Sequence, residues 1–282
     1  MRSWPTQLTS FMNIAVSEAR QSLREGNQGV GAVIIKEDRI LAQAHDSGEV
    51  HQDPTVYAEI IAIRKAFALA GKDLSGCILL VTRAPCPMCM KAVGEAHISR
   101  LIYGCDPARG SDDCNFHKAE AAPRIEKGLL KDECAILYHP EVRSELIRLR
   151  GATEERLIEY NKQTAARRLE WYRREKSKLR LGTGDVAQRA YRLLLRKLGV
   201  GEKEAPVVLR SKGMVVFHSK NFCPTLEACQ ILGLDTRWVC RLYNEGAVDQ
   251  LIRQIDPRLR FSRNYELIRP YSGYCEERIE YS

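Results

Sequence analysis

No stretch of this chain approaches the roughly 18 consecutive apolar residues that a membrane-spanning helix needs, so a bilayer-spanning protein is not expected. Met1 to Gln7 hold one Arg and no apolar run, unlike a secretory leader. There is no internal repeat and no low-complexity tract, which sets aside solenoids and disordered tails. These absences predict a soluble, cytoplasmic protein. Ten cysteines are present nonetheless. In a reducing compartment they are not expected to form a disulfide scaffold, which leaves metal binding, catalysis or burial.

A chain of 282 residues is long for one domain and comfortable for two. The net charge of +8 is uneven: residues 141–200 hold 16 Lys+Arg and 8 Asp+Glu, so the rest is close to neutral.

Leu8, Phe11, Met12, Ala15, Ala19 and Leu23 follow the spacing of an amphipathic helix that Gly26 stops. Two apolar runs, 30–35 and 40–44, flank a short polar turn and predict a hairpin. Asp53-Pro54 predicts a helix start, with Asp as cap and Pro in the first turn, continuing to about Ala70. A buried strand is expected over 77–82, a helix from Pro85-Cys86 to about Ala96, and short strands over 101–104 and 135–138. Such alternation implies a sheet covered by helices on both faces. From about residue 141 the chain is helix-compatible but sparsely apolar. A second compact region begins near Asp185 with a helix stripe ended by Gly199, a hairpin over 206–217 and two helices near 225–232 and 236–252.

Two groups of residues carry the chemistry: Tyr57-Ala58-Glu59 and Pro85-Cys86-Pro87-Met88-Cys89. Cys86 and Cys89 lie three apart at a helix start, on one face, where the positive helix end favours thiolates. Two thiolates and a third protein ligand can hold zinc and leave one position for water. The ordered set resembles the zinc-dependent cytidine and deoxycytidylate deaminase family, whose pattern is H-x-E followed by P-C-x-x-C. Asp53-Pro54-Thr55 before the Ala-Glu pair, 61–66 after it and 101–104 beyond the cysteines are similar to its nucleobase and tRNA-adenosine deaminase branch. The resemblance covers roughly residues 8–150. It implies a three-layer α-β-α fold, a zinc cofactor, a nucleobase, nucleoside or nucleotide substrate, and a homodimer. It also implies that Glu59 shuttles protons without binding the metal.

The sequence departs from this pattern. Tyr57 stands where the family has its histidine ligand. Three readings stay open: a phenolate ligand, a histidine from elsewhere (His45, His51 or His117), or a weak or absent metal in a non-catalytic relative. Asp46 occupies a substrate-binding loop position that is commonly Asn in relatives, and Ala84 a position that is often Glu. Asp112-Asp113 with Phe116 is similar to the guanine-deaminase branch, where a C-terminal segment reaches the pocket. Cys77 and Cys134 are expected in the core. Cys105, Cys114 and His117 have irregular spacing for a metal group.

Residues 162–180 hold eight Lys+Arg and two Glu around Trp171-Tyr172. A basic helix with aromatics can track a phosphate backbone and stack bases, which makes RNA a candidate partner. The plainer alternative is a connecting helix whose aromatics pack on a neighbouring domain. Cys223, Cys229, Cys240 and Cys275 form no C-x-x-C pair, and their surroundings look loosely like small bacterial cysteine-containing domains similar to thiazoline-carboxylate hydrolases.

The sequence therefore predicts an α/β deaminase-like domain over 1–150, a basic helical linker over 151–184 and a smaller α+β domain over 185–282. The expected activity is zinc-dependent hydrolytic deamination, with Glu59 catalytic, Cys86, Cys89 and Tyr57 at the metal, and Asp46, Asp113 and Phe116 at the substrate. The alternative is a degenerate deaminase-like binding or regulatory protein, RNA-associated or paired with an active deaminase.

Overall fold

A computed structural model of the chain describes residues 4–106 and 123–282. It divides into two compact units, Met1–Ser144 and Glu145–Ser282. The basic stretch expected as a linker thus belongs to the second unit.

The first unit begins with α1 (Thr6–Glu25), which Gly26 ends at φ 104°, a conformation glycine adopts without steric cost. Strands β1 (Gly31–Lys36) and β2 (Arg39–His45) form the expected hairpin. Glu37 and Asp38 turn it at positive φ, 48° and 62°, matching the right-handed strand twist. A short helix α2 (Gly48–His51) follows, then α3 (Ala58–Ala70), β3 (Ile78–Arg83), α4 (Pro87–Glu95), β4 (Arg100–Cys105), β5 (Arg124–Lys127) and α5 (Lys131–Ile136). Helix α6 (Pro140–Leu149) spans the boundary between the units.

The sheet order is β2-β1-β3-β4-β5. β1 is antiparallel to β2 and β3, whereas β3, β4 and β5 run parallel. Successive side chains of β1 serve opposite cores, as the period of two requires. Ala32 and Ile34 join the α3/α4 side with Leu79, Val81 and Leu101. Val33 and Ile35 join the α1 side with Met12, Leu80 and Ile102. These are the three expected layers. Gly31 is what lets α1 lie close, since a Cβ there would run into the Ala15 carbonyl.

Two local expectations are corrected. The helix expected from Asp53-Pro54 starts at Ala58 instead. Asp53 Oδ1 accepts from Thr55 N at 2.8 Å and Thr55 Oγ1 at 2.7 Å, so it closes its own turn rather than capping a helix. Residues 135–138 are not a strand: α5 ends there, and the fifth strand is β5. A short buried apolar run does not separate strand from helix by periodicity. Cys134 lies in the core against β4, where a side chain at Gly104 would meet its Sγ.

The second unit holds α7 (Glu154–Glu175), α8 (Val186–Leu198), β6 (Val207–Ser211), β7 (Met214–Ser219), α9 (Pro224–Leu232), α10 (Thr236–Cys240), a π-helical turn (Arg241–Glu245), α11 (Gly246–Ile252), β8 (Leu259–Arg263) and β9 (Cys275–Tyr281). Its antiparallel sheet has the order β6-β7-β9-β8. The core joins α8, α11 and the sheet through Leu194, Phe217, Leu251 and Ile279. Trp171 and Tyr172 of α7 pack against this core, and Tyr172 OH donates to the Gln254 carbonyl at 3.3 Å. The aromatics of the basic helix are therefore half-buried against a protein core.

Candidate active site

A cavity of about 900 Å³ opens in the first unit, bounded by the β2–α3 loop and the β3–α4 junction. Two helix starts point at it. Tyr57 is the N-cap of α3, which puts Glu59 in that helix's first turn. Cys86 is the N-cap of α4, Pro87 is its first residue and Cys89 follows on the inner face. Proline suits that position because its missing N–H is unneeded there.

Glu59 is only 3% exposed, and its Oε2 finds no hydrogen-bond partner among the described residues. Burial raises its pKa to about 7, and the nearby Asp46 carboxylate adds to the rise. Its carboxyl contacts the Cys89 thiol, which also contacts Cys86. Burial, with the charges of Glu59 and Cys86, pushes the Cys89 thiol far above its ordinary range. The Tyr57 phenol is raised by burial and then by Cys86, Cys89, Asp46 and Glu59. Asp46, at 2% exposure, accepts from Gln28 N at 3.1 Å and from the Gly48 backbone, yet burial raises it too.

These groups disfavour one another's negative charge, and a divalent cation among them would relieve every one. That is the donor chemistry of a metal site with two sulfurs, a phenol oxygen and an adjacent proton-carrying acid. The described residues hold no group of three His, Cys, Asp or Glu able to bind a metal, and Tyr57 is the oxygen donor that the described residues place beside Cys86 and Cys89. Of the histidine alternatives, His45 and His51 are engaged elsewhere. His45 meets Glu18 at 2.7 Å and Glu25 at 3.1 Å through its two ring nitrogens. His51 Nδ1 meets the Ser47 carbonyl at 2.9 Å, outside the cavity lining. His117, Asp113, Phe116 and Cys114 lie outside the described residues.

One cavity residue was not singled out in the sequence. Arg83, at the end of β3, is the cation among the described lining residues, against Asp46, Glu49, Asp53 and Glu59. Its guanidinium lies 5.0 Å from the centre of the Tyr138 ring. Tyr138 OH donates to the Gly29 carbonyl at 2.9 Å and meets Thr82 Oγ1 at 3.0 Å, which braces β3 where it delivers Arg83. An Arg one residue after a buried strand and three before Cys86 was the available signal.

Two helix starts thus bring a cysteine pair and a buried glutamate to one cavity over a mixed sheet. Residues 5–105 match the sequence model of the cytidine and deoxycytidylate deaminase zinc-binding region. The chain belongs to this deaminase family, in its nucleobase and tRNA-adenosine deaminase-like branch, whose cofactor is zinc. It is 42% identical over 94 residues to a tRNA-specific adenosine deaminase of Aquifex aeolicus (strain VF5), covering 33% of this chain and 62% of that protein. With the tRNA-specific adenosine deaminase of Streptococcus pyogenes serotype M18 it shares 34% over 134 residues, 45% of this chain and 84% of the relative. Among solved structures, one from work on A-to-I editing by tRNA:A34 deaminases is 34% identical, with a TM-score of 0.43, over 46% of this chain and 99% of that one. Guanine deaminase from Bacillus subtilis is 35% identical, with a TM-score of 0.33, over 34% and 63%. No helix among the described residues is long and apolar enough to cross a membrane.

Proposed function

We propose that the chain catalyses hydrolytic deamination of a purine or pyrimidine base or nucleoside in the cavity of the first unit. The observation that carries this reading is Glu59: buried, in contact with Cys89, and with an oxygen left without a partner beside the cavity. A carboxyl with that cost has a use in moving protons. Cys86, Cys89 and Tyr57 would hold zinc, which when bound supplies the Lewis acidity that makes water a nucleophile near neutral pH. Glu59 takes the proton from the attacking water and passes it first to the ring nitrogen, then to the departing ammonia. A pKa near 7 suits both directions of transfer. The carbon exchanges its amino group for oxygen, and one water is consumed for each ammonia released.

Among the described residues, four acids against one arginine line the cavity, which favours an uncharged base or nucleoside with donor groups over a nucleotide. Asp46 is placed to accept from such a donor. A second reading, deamination of an adenosine within RNA, is supported by the similarity to tRNA-specific adenosine deaminases and by the basic outer face of α7.

Ammonia release from free bases and nucleosides, beside inosine formation in a tRNA transcript, separates the two readings. Glu59→Gln should lower turnover by at least about a hundredfold while zinc content and folding are kept. Unchanged turnover would contradict the mechanism. Purified protein without zinc after zinc-supplemented expression would favour the binding or regulatory alternative.

A further inference from the structure

Of the eight basic residues in 162–180, seven are exposed and one, Arg168, turns inward. Its Nη1 is buried without a hydrogen-bond partner among the described residues. Beside it lies a second guanidinium, Arg263 at the end of β8, close enough for repulsion to add to the burial that lowers the Arg168 pKa to about 10. Arg263 Nε donates to Glu277 Oε1 at 2.7 Å, but its Nη1 is also buried and unpaired. The other Glu277 oxygen is taken by Ser219 Oγ at 2.7 Å. Arg269, before β9, donates from Nη1 to the Asn221 carbonyl at 2.8 Å and leaves its buried Nε without a partner.

Among the described residues Glu277 is therefore the carboxylate that Arg168 and Arg263 share. The neighbouring acids are spent elsewhere. Glu145 is held by Arg148, Thr225 Oγ1 and Tyr243 OH. Glu245 is held by Tyr265 OH. An isolated buried cation costs several kcal/mol, and unmade hydrogen bonds to it add to that cost. The unpaired N–H groups of Arg168 and Arg263 lie side by side, and Cys223 lies between Arg263 and Arg269, which gives this region the form of a receptor for negative charge.

Thiols share the place. Cys223, the N-cap of α9, lies in the field of Arg269, Arg263 and Cys275. Cys240, which ends α10 at the π-helical turn, lies in the field of Arg263, Cys223 and Cys275. Cys223 and Cys275 keep some contact with solvent, whereas Cys240 is buried. The described residues offer no group of three His, Cys, Asp or Glu able to hold a metal, so a purely thiolate metal centre is not what gathers them.

We propose that this cluster binds a small oxyanion, the carboxylate or phosphate group of a metabolite-sized ligand, through the unpaired guanidinium edges of Arg168, Arg263 and Arg269, with Cys223, Cys240 and Cys275 facing the rest of the molecule. Guanidinium forks match both anions, and paired N–H···O bonds to them are among the stronger hydrogen bonds in proteins. The site lies wholly in the second unit and does not depend on the deaminase reading.

The test uses the full chain at constant ionic strength with chloride as the balancing ion. Inorganic phosphate, acetate and succinate are titrated separately, and both the unfolding midpoint and the alkylation rates of Cys223 and Cys275 are followed, the latter by peptide mass spectrometry. At least one of these anions should raise the midpoint saturably and slow alkylation. A response to phosphate assigns a phosphate-bearing ligand, and a response to acetate or succinate a carboxylate. Arg168→Met should fold, keep its zinc and weaken the response about tenfold or more, the loss of one charged hydrogen-bonding group. If Arg168→Met does not fold by circular dichroism, Arg269→Gln serves the same purpose. No saturable response to any of the three anions would overturn the proposal. So would an undiminished response in the folded variant, or a second zinc per chain lost on Cys223→Ser.

Discussion

At the scale of single residues, Tyr57 is the position on which the proposed metal binding turns. It caps α3, and its phenol faces Cys86 and Cys89 across a small volume crowded with acids. A histidine ligand binds as a neutral ring, whereas a phenol must first lose a proton with a reference pKa of about 10. Tyr57→His should therefore retain zinc more tightly than the natural chain under competition with a chelator. Tyr57→Phe, which keeps the ring and removes the oxygen, should retain it at least about tenfold less well. Equal retention in all three proteins would show that position 57 is not a ligand. Glu59, Cys86 and Cys89, picked out by their spacing, are brought together at one cavity. The role of Arg83 was not, since nothing in a strand-end arginine tells which way it faces until Tyr138 is seen under it.

At the scale of elements, the site rests on two helix starts that the sequence marks differently. Pro85-Cys86, read as the opening of α4, lies just ahead of its first residue Pro87, whereas Asp53-Pro54 marked a turn. Asp and Pro favour helix starts and turns alike, and only the four residues that follow decide between them. The edge β5 and the C-terminal pair β8–β9 were not foreseen, because their apolar residues are few and the sheet supplies the rest of the burial. In the second unit Asp235 caps α10, accepting from Arg237 N at 2.8 Å, and its side chain pairs with the Arg237 guanidinium at 2.9 Å. The hydrogen bonds from Arg237 hold the Asp235 pKa down to about 2, below the ordinary 3.8. A carboxylate with a lowered folded pKa stabilises above its unfolded value and loses that contribution as pH falls through the folded one. The Asp235 carboxyl should thus titrate near 2 by NMR. Asp235→Ala should lower stability by about 1 kcal/mol at neutral pH, with the difference shrinking between pH 4 and 2. A carboxyl titrating at its ordinary value would remove both expectations.

At the scale of the whole molecule, the charge and the chemistry sit in different units. The cavity is acid-lined, whereas the positive excess lies in residues 141–200, mostly beyond the unit boundary. The two-unit plan was legible because composition changes there, but the boundary was not, because α6 runs through it without a break. If the exposed basic residues of α7 hold RNA, they do so through phosphates, since Trp171 and Tyr172 turn their rings against the core. Binding to a tRNA transcript should then fall steeply and linearly on a log–log plot against salt, with little preference for base sequence. Replacing Lys162, Arg167, Arg173 and Arg174 by Gln should flatten that slope. A slope unaltered by these changes would place the RNA elsewhere.

The packing of Trp171 also gives the molecule an optical asymmetry. Of three tryptophans, Trp4 lies against the α1 side of the first core, Trp171 lies in the second unit with Lys197 Nζ 4.9 Å from its ring centre, and Trp238 lies in α10. None lines the deaminase cavity. Two of the three indoles thus report on the second unit, one of them beneath an ammonium group that tunes its emission. Ligands of the cavity should be nearly silent in intrinsic fluorescence, while events around Arg168, one helical turn from Trp171, are positioned to be seen without any label.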